Sequence, residues 1–209
     1  MLPHKYQGTP RPCYQCGLVV EDQIHHVLNN CDKFKEQGRY TWRRNCILHY
    51  LDTLLDHNKF RIFCDLPDRR TSSGATVPNE IVPPTFTLEY DKDLLYAPTL
   101  VAVGREIDEI YLFDISLHHE SEIEMARHAK MEIYGPLVEA IKRQKTSSLV
   151  NLYTLEIGSS LGQMSETTKF SIWQFFRLTT KSTNMENIVS NIALLAKLSS
   201  FKLFKVMLV

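Results

Sequence analysis

The chain lacks a net charge, a long uninterrupted apolar run, an internal repeat and a secretory opening, and each absence excludes something. With 24 Lys and Arg against 24 Asp and Glu in 209 residues, bulk charge names no partner. The apolar stretch at 192–209 is interrupted by Lys197, Lys202 and Lys205. A bilayer span wants about 20 residues nearly free of charge, so a packed amphipathic helix is expected there. No basic n-region and apolar h-region open the sequence, which predicts an intracellular protein. Cysteine is sparse and odd in number: five in all, with Cys13, Cys16 and Cys31 close together. Without a secretory signal that pattern favours a metal over disulfides.

What remains is the composition of a folded protein. Hydrophobic content of 44% with 23% charged residues argues against disorder. The length suits one domain with a small appendage. Charge is neutral only on average. Residues 1–70 carry 11 basic against 8 acidic side chains, residues 80–139 carry 4 against 13, and residues 140–209 carry 9 against 3. An acidic middle between basic flanks suits a cation site surrounded by anion-binding surface, and it equally suits solvated helix faces.

Periodicity divides the chain. In residues 39–58, Tyr40, Ile47, Leu48, Leu51, Leu54 and Leu55 recur at three- and four-residue steps, one face of a helix. Residues 60–64 fit either a short strand or a helix end. The Ser, Thr, Gly and Pro of residues 71–84 predict a linker. Residues 85–90, 99–103 and 110–116 are rich in β-branched and aromatic side chains and predict a three-stranded meander. Residues 120–145 predict a helix that Gly135-Pro136 should bend or split. Residues 147–157 return to strand, and residues 166–178 and 185–204 to helix. From residue 39 the order is α-β-β-β-α-β with trailing helices, an α/β arrangement.

Two constellations carry chemistry. The first is Cys13-x2-Cys16-x9-His26-x4-Cys31, the spacing of a tetrahedral zinc site. Four protein ligands leave no open position, so such a zinc is structural and replaces the core that a short segment cannot build. His25 is the rival fourth ligand. Cys46 and Cys64 lie on apolar runs and predict plain core residues. The second is Asp114, near the end of an apolar strand, with Lys130 in the following helix and Tyr134 one turn further on. A metal-bound carboxylate beside a lysine is the kit of Mg²⁺-dependent phosphodiester cleavage. Taken alone, a strand-edge Asp and a solvated Lys are the commoner origin of such a pair.

Together these features resemble the C-terminal region of site-specific non-LTR retrotransposon polyproteins, which joins a CCHC zinc knuckle to a restriction-enzyme-like endonuclease. The family's His-Val-Leu falls on His26-Val27-Leu28 between Cys16 and Cys31, and its Arg-His-Asn helix motif on Arg43-Arg44-Asn45 with Arg44 in place of His. Its strand ending in Asp is matched by Leu112-Phe113-Asp114-Ile115-Ser116-Leu117, and its Lys and Tyr helix by Ala129-Lys130 and Tyr134. The match runs from Pro10 onward. It implies a PD-(D/E)xK core (α-β-β-β-α-β with trailing helices) at 85–209 behind a zinc knuckle at 10–36, with a connecting helical segment at 37–70.

By the same resemblance Asp114, Lys130 and Tyr134 are catalytic and Asp114 binds Mg²⁺. Arg39, Arg43, Arg44, Lys142, Arg143 and Lys145, all basic positions flanking these motifs, are the expected phosphate contacts. The implied partners are a DNA target site, nicked for target-primed reverse transcription, and the element RNA. Localisation is expected to be nuclear. A reverse transcriptase would precede this region in the polyprotein and has no counterpart in this sequence. One departure is chemical. The family's Pro-Asp-Leu reads Pro98-Thr99-Leu100, so a neutral hydroxyl stands where a carboxylate would ligate hard Mg²⁺. The alternatives are a zinc-stabilised nucleic-acid-binding module with a dead nuclease centre, and an unrelated intracellular interaction domain.

Overall fold

Alternation builds the sheet. In residues 109–118 successive side chains point to opposite faces. Tyr111, Phe113 and Ile115 enter one apolar cluster, and Ile110 and Leu112 enter another across the sheet. The computed structural model describes residues 10–66, 98–180 and 184–205. Its larger part is a four-stranded sheet in the order β3 (Phe60–Cys64), β4 (Leu100–Gly104), β5 (Glu109–His118) and β6 (Leu149–Gly158). The first two pairings are antiparallel and β5–β6 is parallel. The parallel pair requires a crossover, which α4 (Ile123–Gln144) supplies.

Helices cover both faces. Against one face lie α3 (Arg39–Leu54), α5 (Glu166–Thr179) and α6 (Met185–Lys205), whose Ile47, Leu48, Leu51, Phe175, Phe176, Ile188 and Ile192 share a cluster with Phe60, Phe113 and Ile157. Phe113 and Phe175 stack at 4.4 Å between ring centroids. Against the other face, α4 packs Tyr134, Leu137 and Ile141 onto Val101, Leu112 and Val150. Burying one such aliphatic or aromatic side chain contributes about 1.5–3 kcal/mol. The two clusters together hold the sheet on both sides.

Two expectations change. The strand beside β4 is β3, so residues 39–64 are the first helix and edge strand of the sheet itself and not a connector outside it. The strand expected at 85–90 and the linker at 71–84 lie outside the described residues. Pro136 neither bends nor splits α4 enough to end it, for the helix is continuous over 22 residues. The carbonyl that Pro136 leaves without a donor belongs to Glu132, on the exposed side, where water can serve it.

The smaller part is a hairpin, β1 (Arg11–Pro12) with β2 (Val19–Val20), followed by α1 (Gln23–His25), a π-helical turn (His26–Asn30) and α2 (Asp32–Glu36). Its own apolar set is small: Val27, Leu28 and Phe34 around Cys13 and Cys31, completed by Leu203 from α6. Among the described residues no helix is long and apolar enough to cross a membrane.

Candidate functional site

The knuckle brings its four donors together by local geometry. Cys13 N donates to Leu18 O at 2.8 Å and Gly17 N to Cys13 O at 2.8 Å, closing the turn that carries Cys16. Gly17 sits at φ 76°, a conformation that a side chain would strain. Asp22 caps the next helix by accepting from His25 N at 2.9 Å. The π turn then widens the helix by one residue and brings His26 to face the thiols. The donor atoms of Cys13, Cys16, His26 and Cys31 all lie within 4.8 Å of one another, and Cys16 Sγ is 3.2 Å from His26 Nε2. The group is able to hold a metal ion. Three sulfurs and one imidazole are the soft and borderline donors that suit a closed tetrahedral site.

His25 is thereby assigned elsewhere. Its Nε2 lies 3.7 Å from Glu122 Oε1, and its ring meets His119 edge-on at 4.7 Å. It joins the knuckle to the start of the segment that leads into α4. A second tie comes from α3: Cys31 N donates to the Tyr40 hydroxyl at 2.8 Å, which donates in turn to Val27 O at 2.9 Å. Burial pushes the Tyr40 phenol up to about 12, so it remains a donor.

The acidic centre lies at one end of the sheet. Pairing Leu100 with Phe113 sets Thr99 beside Asp114 on neighbouring strands. Thr99 N donates to Asp114 Oδ1 at 3.2 Å. From α4, Lys130 Nζ reaches Asp114 Oδ2 at 2.8 Å and Glu156 Oε1 at 3.4 Å. Glu156, on β6, is 0% exposed, and its other oxygen accepts from Thr154 at 3.3 Å and Thr168 at 3.4 Å. Burial raises its carboxyl above the ordinary range, and the Lys130 charge pulls it part of the way back. Ser116 and His118 continue the same face, with His118 Nε2 2.7 Å from Ser116 Oγ. Burial, and then the Lys130 charge, lowers the His118 imidazole.

Glu156 is a residue that sequence reasoning missed. The signal was present, a lone carboxylate between Leu155 and Ile157 in an apolar strand, which is costly to bury unless partnered.

Thr99 does not stand in for a ligand. Its hydroxyl donates to Phe113 O at 3.1 Å and accepts from Ile115 N at 2.9 Å, so both roles are committed to the strand ladder. The ammonium of Lys130 sits between the two remaining carboxylates. Mg²⁺ needs a near-octahedral oxygen set around one or two free carboxylates, and this arrangement does not fit it. Tyr134 packs in the apolar cluster under α4 at 5% exposed, one turn from Lys130.

The basic positions do not form one surface. Arg43 is 2% exposed, lies over the Tyr40 ring at 5.4 Å and donates to Ser200 Oγ at 3.4 Å. Burial lowers it to about 10, leaving it charged but inside; it is not a phosphate contact. Arg44 is bonded to Asp65 and Asn45, and Arg39 lies over Phe34 at 4.8 Å. Lys142 pairs with Glu139 at 3.1 Å and Arg143 is exposed. Lys145 lines a groove of about 360 Å³ with Arg61, Gly104 and Asp108, at the end of β4 opposite Thr99. Lys142 is three turns of α4 beyond Lys130, about 18 Å along the axis. No protein-family model matches the chain, and no curated protein is significantly similar to it.

Proposed function

We propose that this chain is the nucleic-acid-handling C-terminal region of a non-LTR retrotransposon polyprotein: a zinc knuckle joined to a PD-(D/E)xK-type domain whose nuclease centre is slow or inert. The observation that carries the reading is the meeting of Thr99, Asp114 and Lys130 at one strand end, in a domain ordered α-β-β-β-α-β. The Cys13, Cys16, His26 and Cys31 donors would hold Zn²⁺ at ~2.3 Å to sulfur and ~2.0–2.1 Å to nitrogen, fixing the knuckle beside the sheet domain. Partners are the DNA target site and element RNA, met in the nucleus. The single Lys130 ammonium is shared between Asp114 and Glu156, which supports a centre with no carboxylate free for Mg²⁺.

Plasmid nicking in Mg²⁺ buffer, with zinc content measured on the same protein, tests the reading. One zinc per chain is expected, with DNA retention that weakens steeply as salt rises and little or no nicking. Thr99→Asp, which adds the missing carboxylate, should raise nicking, and Asp114→Ala should abolish whatever remains. Robust nicking that survives Asp114→Ala places the site wrongly, and protein without zinc removes the knuckle.

A further inference from the structure

The outward face of α5 carries two aromatic rings that the fold does not use. Phe170 is 55% and Trp173 40% exposed, while Thr168, Ile172, Phe175, Phe176 and Thr179 of the same helix are buried. The two exposed rings lie nearly parallel, 16° apart, with centroids at 6.2 Å. Arg177 sets its guanidinium 5.0 Å from the Trp173 centroid, and among the described residues no carboxylate pairs with it. Phe170, Trp173 and Arg177 are spaced three and four residues apart, so they form one stripe along the helix.

Charge and position select the occupant. Residues 140–209 hold only three carboxylates. Glu156 is buried against Lys130, Glu166 is paired with Lys169 at 2.6 Å, and Glu186 is exposed on α6, so basic side chains outnumber acidic ones in this region nine to three. The first turn of α5 touches the acidic centre, where Thr168 donates to Glu156 at 3.4 Å. Thr168 belongs to the buried face of α5, so the stripe lies on the other side of the same helix and runs about 10 Å along the axis from Phe170 to Arg177.

We infer that this stripe is a base-stacking platform for single-stranded nucleic acid, in which unpaired bases lie on Phe170 and Trp173 and Arg177 meets the backbone phosphate. Stacking suits any base, because every base has a π face, and the arginine adds charge along the strand. A duplex hides its base faces and is not retained here. The inference deepens the nucleic-acid reading above and rests on it for the class of ligand.

The chain contains two tryptophans, so Trp42→Phe leaves Trp173 as the sole indole emitter. Titrating that full-length variant with oligothymidylate and with oligouridylate at low salt should quench its emission, and duplex DNA of the same length should not. Phe170→Ala and Trp173→Ala, both at exposed positions, should each weaken oligonucleotide binding about tenfold. Arg177→Met should lower the salt slope by about one charge. Two results overturn the platform: emission unmoved by bound oligonucleotide, or unchanged affinity in the double alanine variant. If that variant instead loses self-association in sedimentation, the stripe is a protein interface and the inference is wrong. Zinc content and plasmid nicking on the same variants are independent of these rings, so they fail separately if the broader reading fails.

Discussion

The knuckle and the sheet domain are held together by different physics. The sheet domain closes two apolar clusters over its faces, with Phe60, Tyr111, Phe113, Phe175 and Phe176 fully buried. The knuckle has Val27, Leu28 and Phe34 and must borrow Leu203 from α6. Beside this small apolar set stand four donors, Cys13, Cys16, His26 and Cys31, gathered closely enough to hold a metal ion. A small segment can therefore be as sharply shaped as a large one, and four donors able to hold a metal would offset the core it lacks, whereas the larger part carries its own.

Denying the knuckle a metal is the largest expected break of the comparison if the four donors hold zinc as proposed. Structural zinc contributes on the order of 10–16 kcal/mol to binding-linked folding in small fingers. Chelation or Cys31→Ser is expected to release amide protection throughout residues 10–36 while β4, β5 and β6 stay protected, as hydrogen exchange would report. Simultaneous loss in both parts would show that they are one cooperative unit.

Lys130→Met is the corresponding break inside the sheet domain. It strands Asp114 and Glu156, both buried, without their shared cation, and removing one partner of a buried pair costs about 3–5 kcal/mol. Adding Glu156→Gln should restore part of that loss in denaturant unfolding, since a neutral amide needs no counter-ion. A smaller effect is expected of Thr99→Val. It leaves Phe113 O and Ile115 N unserved inside the ladder and should cost about 1–3 kcal/mol, with zinc content unchanged.

The smallest effect depends on pH. Because burial lowers the His118 imidazole, its contribution is present above the unfolded value of about 6.5 and is lost as pH falls through the lower folded value. Melting temperature should therefore decline from neutral toward mildly acid pH, and less so in His118→Gln. An equal decline in the two proteins would assign the effect to another group.

Much of this was legible in the sequence, for identifiable reasons. The three cysteines announced the knuckle because metal ligands need fixed spacing. The β-branched and aromatic runs announced β4, β5 and β6. His26 could not be told from His25, since local spacing tolerates either. The choice is made by Glu122 and His119, which occupy His25 from the far side of the chain. The pairing of β3 with β4 was hidden because a five-residue strand carries little periodicity and its partner begins at Leu100. Glu156 went unread although a lone carboxylate between Leu155 and Ile157 signals a partnered burial, because the partner, Lys130, is 26 residues away and is brought to it only by the fold. Arg43 misled, because the residue type that binds phosphate also stacks on a buried tyrosine.

The bond from Arg43 to Ser200 spans 157 residues of sequence, and that separation has a kinetic meaning. α6 contributes Ile188, Ile192 and Ala196 to the sheet domain and Leu203 to the knuckle, so both parts are finished by the same late element. On the ribosome the knuckle and Tyr40 emerge before α6, yet the knuckle's apolar cluster lacks Leu203 until α6 has been made. Contacts so distant in sequence close slowly, because the loop entropy is lost before the contact returns anything. A metal captured early would keep the knuckle in shape through that interval, ready for a helix synthesised long after it.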